Sequence, residues 1–173
     1  MSEQVVIDSL AFAGKAESLH GKIPVSSLAR LHDVLYSTRG EIEFDVRGGT
    51  NGMGRPVLRL RISGEVQLQC QRCLEELSFP LAIDSNLLLA RDEAELAGLD
   101  ENEEGPDVIL AEAEMDVLAL IEDEVLLAIP MSPRHPAGAC RSKGDGAAAG
   151  AEQGKIFEAL EMAKKRLREK SKE

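Results

Sequence analysis

The residues best equipped for chemistry are three cysteines and one histidine: Cys70, Cys73, His135 and Cys140. The first two frame the tetrapeptide Cys70-Gln71-Arg72-Cys73. Two thiols three residues apart in a tight turn can grip one metal ion, and such a knuckle commonly sits at a β-hairpin tip. One pair is only half a site. His135 and Cys140, spaced H-x4-C, would complete a Cys3His set suited to Zn2+. The same pair can be read as a redox dithiol, giving a thiol oxidoreductase. Thioredoxin-type sites, however, open a helix whose dipole lowers the thiol pKa, and here the flanks read as strand. The plainest alternative makes Cys70 and Cys73 reduced core thiols, with His135 packed at a helix end.

A second cluster is acidic: Asp116, Glu122, Asp123 and Glu124. Carboxylates so grouped can hold Mg2+ or act as acid and base. No His, Lys or Gly-rich phosphate loop accompanies them, so a solvated helix face or an acidic partner-binding edge is expected. Arginines form the third group. Arg59 and Arg61 share a strand face by period two, and Arg72 lies at that strand's end, an arrangement that could contact RNA phosphates. Glu41, Glu43, Asp45 and Glu65 are interspersed with Arg47, Arg55 and these three, so surface pairing explains them equally well. There is no G-x-S-x-G, Walker or H-E-x-x-H motif, and the expectation is a protein that is not an enzyme.

The elements that must position these residues are read from periodicity. Residues 4–13 suggest a short strand or extended segment. Pro24–Tyr36 reads as a helix, with Leu28, Leu31 and Leu35 recurring, Ser26 or Ser27 as cap and Gly40 beyond its end. From Glu41 the period becomes two. Ile42, Phe44 and Val46 share a face, and Gly48–Pro56 reads as a flexible loop too glycine-rich to belong to either strand. Leu58, Leu60, Ile62, Val66, Leu68 and Cys70 then share one face, with Gly64 in phase where a bend or bulge is cheapest. After the CQRC turn, Leu77, Phe79, Leu81 and Ile83 resume the alternation, followed by Leu87 and Leu89. Residues 91–107 carry eight acids and one Arg, which predicts a solvated, mobile loop. A short strand at Val108–Leu110 precedes a helix capped by Asp116, with Val117, Leu118, Ile121, Val125 and Ala128 as its buried stripe, ending at Pro130.

These readings give an α+β domain over residues 1–140. It is an antiparallel meander, able to curl into a small partly closed barrel, with two packed helices. A Gly/Ala-rich linker at 141–154 leads to a short basic amphipathic C-terminal helix at 155–173. In that helix Lys164, Lys165, Arg166 and Arg168 are candidate RNA contacts.

Composition narrows the function. Of 173 residues 43% are hydrophobic but only 3% aromatic, so a core is affordable while base-stacking platforms are scarce. The net charge of −11 repels phosphate backbones, so nucleic-acid contact would need a local basic patch. The N-terminus shows no signal-peptide pattern and no stretch reaches ~18 apolar residues. A cytoplasmic location with reduced thiols is therefore expected.

The same stretches carry a family resemblance. Leu68-Gln69-Cys70-Gln71-Arg72-Cys73-Leu74, followed by MDVLALIEDEVLLAIPMSPRH (Met115–His135), Cys140 and a terminal GKIFEALEMAKKRL, resembles the YceD family. Its members are described as large ribosomal RNA subunit accumulation proteins. The resemblance implies a cytoplasmic ribosome-biogenesis factor that supports synthesis, processing or stability of large-subunit ribosomal RNA. It implies as partner a ribosomal protein or assembly intermediate, with ribosomal RNA contacted directly or through that partner, and neither membrane nor small-molecule substrate. The family has no established catalytic residues to carry over. Cys70 and Cys73 match its CxxC, Asp116 and Glu122–Glu124 its acidic helix, and His135 and Cys140 its tail motif.

Overall fold

The structure is a computed structural model that describes residues 5–100 and 106–140. In chain order its elements are β1 (Val6–Ile7), α1 (Ser9–Gly14), β2 (Ser18–Pro24), β3 (Leu35–Ser37), β4 (Glu41–Thr50), β5 (Pro56–Gln69) and β6 (Glu76–Ala90). They continue with α2 (Glu93–Asp100), β7 (Val108–Leu110), β8 (Met115–Asp116) and α3 (Val117–Ala128). Met1–His135 forms one compact unit and Pro136–Glu173 a second, described to Cys140.

Strict alternation in β4, β5 and β6 builds the main sheet, ordered β2-β4-β5-β6-β7 and antiparallel at every junction but the last. The sheet is open, with β2 and β7 at its ends, rather than curled into a barrel. β3 pairs with β5 near Leu68, beyond the end of β4's pairing. β1 pairs separately with β8. The expected face of β5 is the core: Leu58, Leu60, Val66, Leu68 and Cys70 are fully buried and Ile62 nearly so. Each such leucine contributes roughly 1.5–3 kcal/mol relative to an exposed one. Gly64 stays in the ladder opposite Ile42 and Leu81; a Cβ there would lie 3.1 Å from Ile42 Cα.

α3 forms as its sequence predicts. The Asp116 carboxylate accepts from the Leu118 and Ala119 amides, and Val117, Ile121 and Val125 are buried against the sheet. Leu118 and Ala128 are half-buried.

Several local expectations are corrected. Pro24–Tyr36 is not a helix. Pro24 ends β2, and two 3-10 turns follow, at Val25–Ser27 and Ala29–Leu31, before β3. Val25, Leu28 and Leu31, three residues apart, are all fully buried, the spacing that 3-10 geometry repeats. The extended segment expected at 4–13 contains β1 and then α1, whose first turn is capped by Asp8. Gly48–Pro56 is not wholly loop: β4 continues through Gly48 and Gly49 to Thr50. Gly48 is there because α1 crosses it; a Cβ would meet Phe12 O at 2.4 Å. The acidic stretch 91–107 includes a helix, α2. Asp92 accepts from Glu95 N, and Glu95 reaches back to Arg91 N, a reciprocal capping arrangement. Because α2 carries the chain across, β7 joins β6 in parallel.

Candidate metal centre

β5 and β6 register from Val57↔Leu88 to Gln69↔Glu76, which leaves residues 70–75 as the turn between them. Cys70 N donates to Glu75 O at 3.0 Å and Leu74 N to Cys70 O at 2.9 Å, so the turn closes on itself. Leu74 takes φ 61°, the left-handed region, and is exposed. This conformation reverses the chain just after the second cysteine. A second segment is then tied to the turn. Gln71 N donates to Pro133 O at 2.9 Å, and two residues later His135 Nε2 lies 3.0 Å from Glu76 O.

That last contact fixes the histidine's chemistry. A carbonyl oxygen can only accept, so Nε2 carries the proton and, in the neutral ring, Nδ1 keeps its lone pair. Nδ1 faces Cys73 Sγ at 3.4 Å. A backbone carbonyl holding the distal nitrogen is the usual way of orienting a metal-ligating imidazole.

Cys70 has no exposed surface, while Cys73 and Cys140 are half-buried. Burial works to raise the Cys70 thiol pKa. Backbone N–H groups of Cys73, His135 and Arg72 aimed at its sulfur, with the Cys73 side chain, outweigh this and bring it down to about 5. A thiol so surrounded is an anion at neutral pH, the form that binds metal. The ligand atoms of Cys70, Cys73 and His135 lie within 4.8 Å of one another. In the second unit, Ala139 N donates to Pro136 O and Gly138 takes φ 84°, so the chain turns just before Cys140. Two cysteine sulfurs on the hairpin tip and an imidazole from the segment after α3 are donors of the types that zinc sites use.

The acidic cluster on α3 is engaged within the fold. Asp116 is the N-cap. Glu122 is buried and accepts from Arg30 N at 3.1 Å, which holds the second 3-10 turn against the helix. Asp123 pairs with the Arg30 guanidinium and Glu124 accepts from Ser85 Oγ. Arg30 was not legible as their partner, being ninety residues away in sequence, and only the fold joins them.

The arginines separate by environment. Arg61 pairs with Asp84 at 3.1 Å, Arg59 is exposed on the same strand face, and Arg72 is exposed in the turn. Lys164, Lys165, Arg166 and Arg168 lie outside the described residues. No helix among the described residues is long and apolar enough to cross a membrane.

A CxxC hairpin knuckle on an α+β sheet, with a carboxylate-capped helix leading into the histidine segment, defines a small α+β domain that brings cysteine and histidine side chains together. The family model for the large ribosomal RNA subunit accumulation protein YceD matches residues 58–167, a span that holds β5, the knuckle, α3, His135 and Cys140. The chain belongs to the YceD family. No solved structure matches it.

Proposed function

We propose that this protein is a non-catalytic, cytoplasmic ribosome-biogenesis factor. It supports the accumulation of large-subunit ribosomal RNA by binding a basic ribosomal protein or an assembly intermediate that contains one. In this reading Cys70, Cys73, His135 and Cys140 hold a structural Zn2+ that fixes the shape of the binding domain.

The observation that carries the reading is the knuckle itself. Two of its donors sit on the hairpin turn and His135 is tied to it by backbone contacts; with Cys140 as fourth ligand, no position would stay open for a substrate, as in structural rather than catalytic zinc sites. Beside it runs a groove of about 550 Å³ lined by Val34, Tyr36, Leu126, Ile129 and Met131, with Met131 fully exposed. Asp33, Gln69 and Gln71 also line it, and such a mixed groove on a chain of net charge −11 suits a basic partner with apolar anchors.

A dithiol-exchange centre is the second reading, and the lowered Cys70 thiol favours it. Against it stands the burial of that sulfur, which an incoming disulfide would have to reach.

The test is recovery of partners from cells under moderate salt, comparing the wild-type chain with Met131→Asp. A ribosomal protein recovered with wild type and depleted with the variant supports the reading. Recovery of neither ribosomal protein nor precursor ribosomal RNA with the wild type refutes it.

A further inference from the structure

The wet face of the sheet is not uniformly acidic. Register places its exposed residues in rows that cross the strands, and one row reads Ser18–Arg47–Arg59–Asn86 from β2 to β6. The next reads His20–Asp45–Arg61–Asp84. In the second row every strand interior charge is balanced, since Arg61 pairs with Asp84. In the first, two arginines stand directly opposite each other on neighbouring strands.

Like charges so placed destabilise a sheet. Asp45 relieves Arg47 by a two-pronged contact from Nε and Nη2, at 2.6 and 3.1 Å, and that contact leaves Nη1 uncommitted. Arg59 has no carboxylate partner among the described residues. The two guanidinium groups border a cleft of about 460 Å³ that also takes in Gly49, Thr50 and Asn86. Gly49 continues this face of β4, and its missing side chain is not demanded by packing, because a Cβ there would meet nothing within 4 Å. Glycine in a strand that needs none for packing is a mark of close approach by another molecule. Two arginines, an amide and a hydroxyl around that gap supply donors in excess of acceptors, the composition of an oxyanion site.

We propose that Arg59 and Arg47, with Asn86 and Thr50 beside them, bind a phosphodiester group of RNA. This rests on the reading of the protein as a factor in large-subunit RNA accumulation and gives that reading a direct RNA contact. The contact is a backbone one. Arginine forks match phosphate oxygens in pairs, and the scarcity of aromatic rings on this face leaves little for base stacking. Position matters as well as charge: Arg61, one row away and equally exposed, is already neutralised and stays outside the site.

The experiment measures binding of the full chain to a fluorescently labelled single-stranded RNA of mixed sequence at several salt concentrations. Arg59→Gln should weaken binding about tenfold, the low end for a charge-assisted hydrogen bond, and should reduce the salt slope by about 0.7 for the one phosphate lost. Asp45→Asn releases Arg47 and should tighten binding, while Arg61→Gln should leave it within about twofold, as expected of an exposed paired charge. Melting temperatures distinguish a binding role from a structural one: removing one of two opposed arginines should leave the Arg59→Gln protein as stable as wild type or more so. RNA affinity unchanged in Arg59→Gln, or lost equally in Arg61→Gln, would overturn the proposal. Saturable effects of inorganic phosphate on the Asn86 side-chain resonances, with no RNA binding, would overturn it in favour of a small phosphate compound. Because recovery of a ribosomal protein does not need Arg59, partner capture that persists in Arg59→Gln separates failure of this site from failure of the broader function.

Discussion

Breaking the knuckle should cost stability through chain entropy, and the amount can be worked from its span. Cys73 and His135 are 62 residues apart, and a common ligand would close that stretch into a loop. Treating the metal as a cross-link, closure of about 62 residues removes ~14 cal/mol/K from the unfolded chain, or ~4 kcal/mol at room temperature. For a chain of this size 1 kcal/mol moves the melting temperature by about 2–4 °C, so loss of the link should lower it by about 8–16 °C. The perturbation is Cys73→Ser, which keeps the turn and removes one sulfur, alongside chelation of the wild type. Protein purified without a metal-affinity tag would be analysed for zinc by mass spectrometry and melted with and without chelator. One zinc per chain is expected, with the chelated wild type falling to the melting temperature of Cys73→Ser and recovering on addition of Zn2+. Cys140→Ser should reproduce the loss, since three ligands would remain. Wild-type protein that contains no stoichiometric zinc, and melts identically with chelator, refutes the metal assignment and this arithmetic together.

Two further outcomes follow from named contacts. Glu122→Ala leaves the Arg30 amide without its acceptor on a packed helix–turn contact and should destabilise by about 1.5–3 kcal/mol in urea titration, whereas the exposed Asp123→Ala should cost under ~1 kcal/mol. The metal-free protein should lose stability in acid because of Cys70. Its folded pKa of about 5 lies below the ordinary thiol value near 8.5, so the unfolded chain binds more protons in between. That stabilisation is fully present above the unfolded value and is lost as pH falls through about 5. Cys70→Ala should flatten the acid limb of stability measured across this window.

What the sequence disclosed is what period and capping disclose. Ten alternating apolar positions from Leu58 to Ile83 could only be read as two strands, and the CQRC spacing between them fell where a hairpin must turn. Asp116 announced α3 because a carboxylate before an apolar stripe has one favoured use. Residues 24–36 misled for a physical reason: Val25, Leu28 and Leu31 satisfy both a helix stripe and a 3-10 repeat, and tertiary burial selected the latter. Gly48 looked like loop because its requirement comes from α1, a helix too short to be seen by periodicity. In the acidic stretch, charge density masked the Asp92–Glu95 cap. At the candidate metal centre the residue types were legible, but the histidine's tautomer was not. It depends on Glu76 O, a backbone atom with no side-chain signature.

The same backbone contacts tie the metal centre to the groove beside it. Gln71 N donates to Pro133 O, and His135 Nε2 to Glu76 O, so the segment that follows α3 is anchored at the knuckle's two flanks. That segment carries Met131 and Pro133, which form one wall of the groove, while Val34 and Tyr36 form another. With Cys70 and Cys73 on the hairpin and His135 at the segment's end, one ion would lock both walls at the cost of ordering very little else. Two hydrogen bonds alone contribute roughly 1–3 kcal/mol, against the ~4 kcal/mol of the metal cross-link. If the site holds an ion, the larger share of the groove's rigidity would come from it, and the cysteines would then serve recognition by fixing the surface next to them.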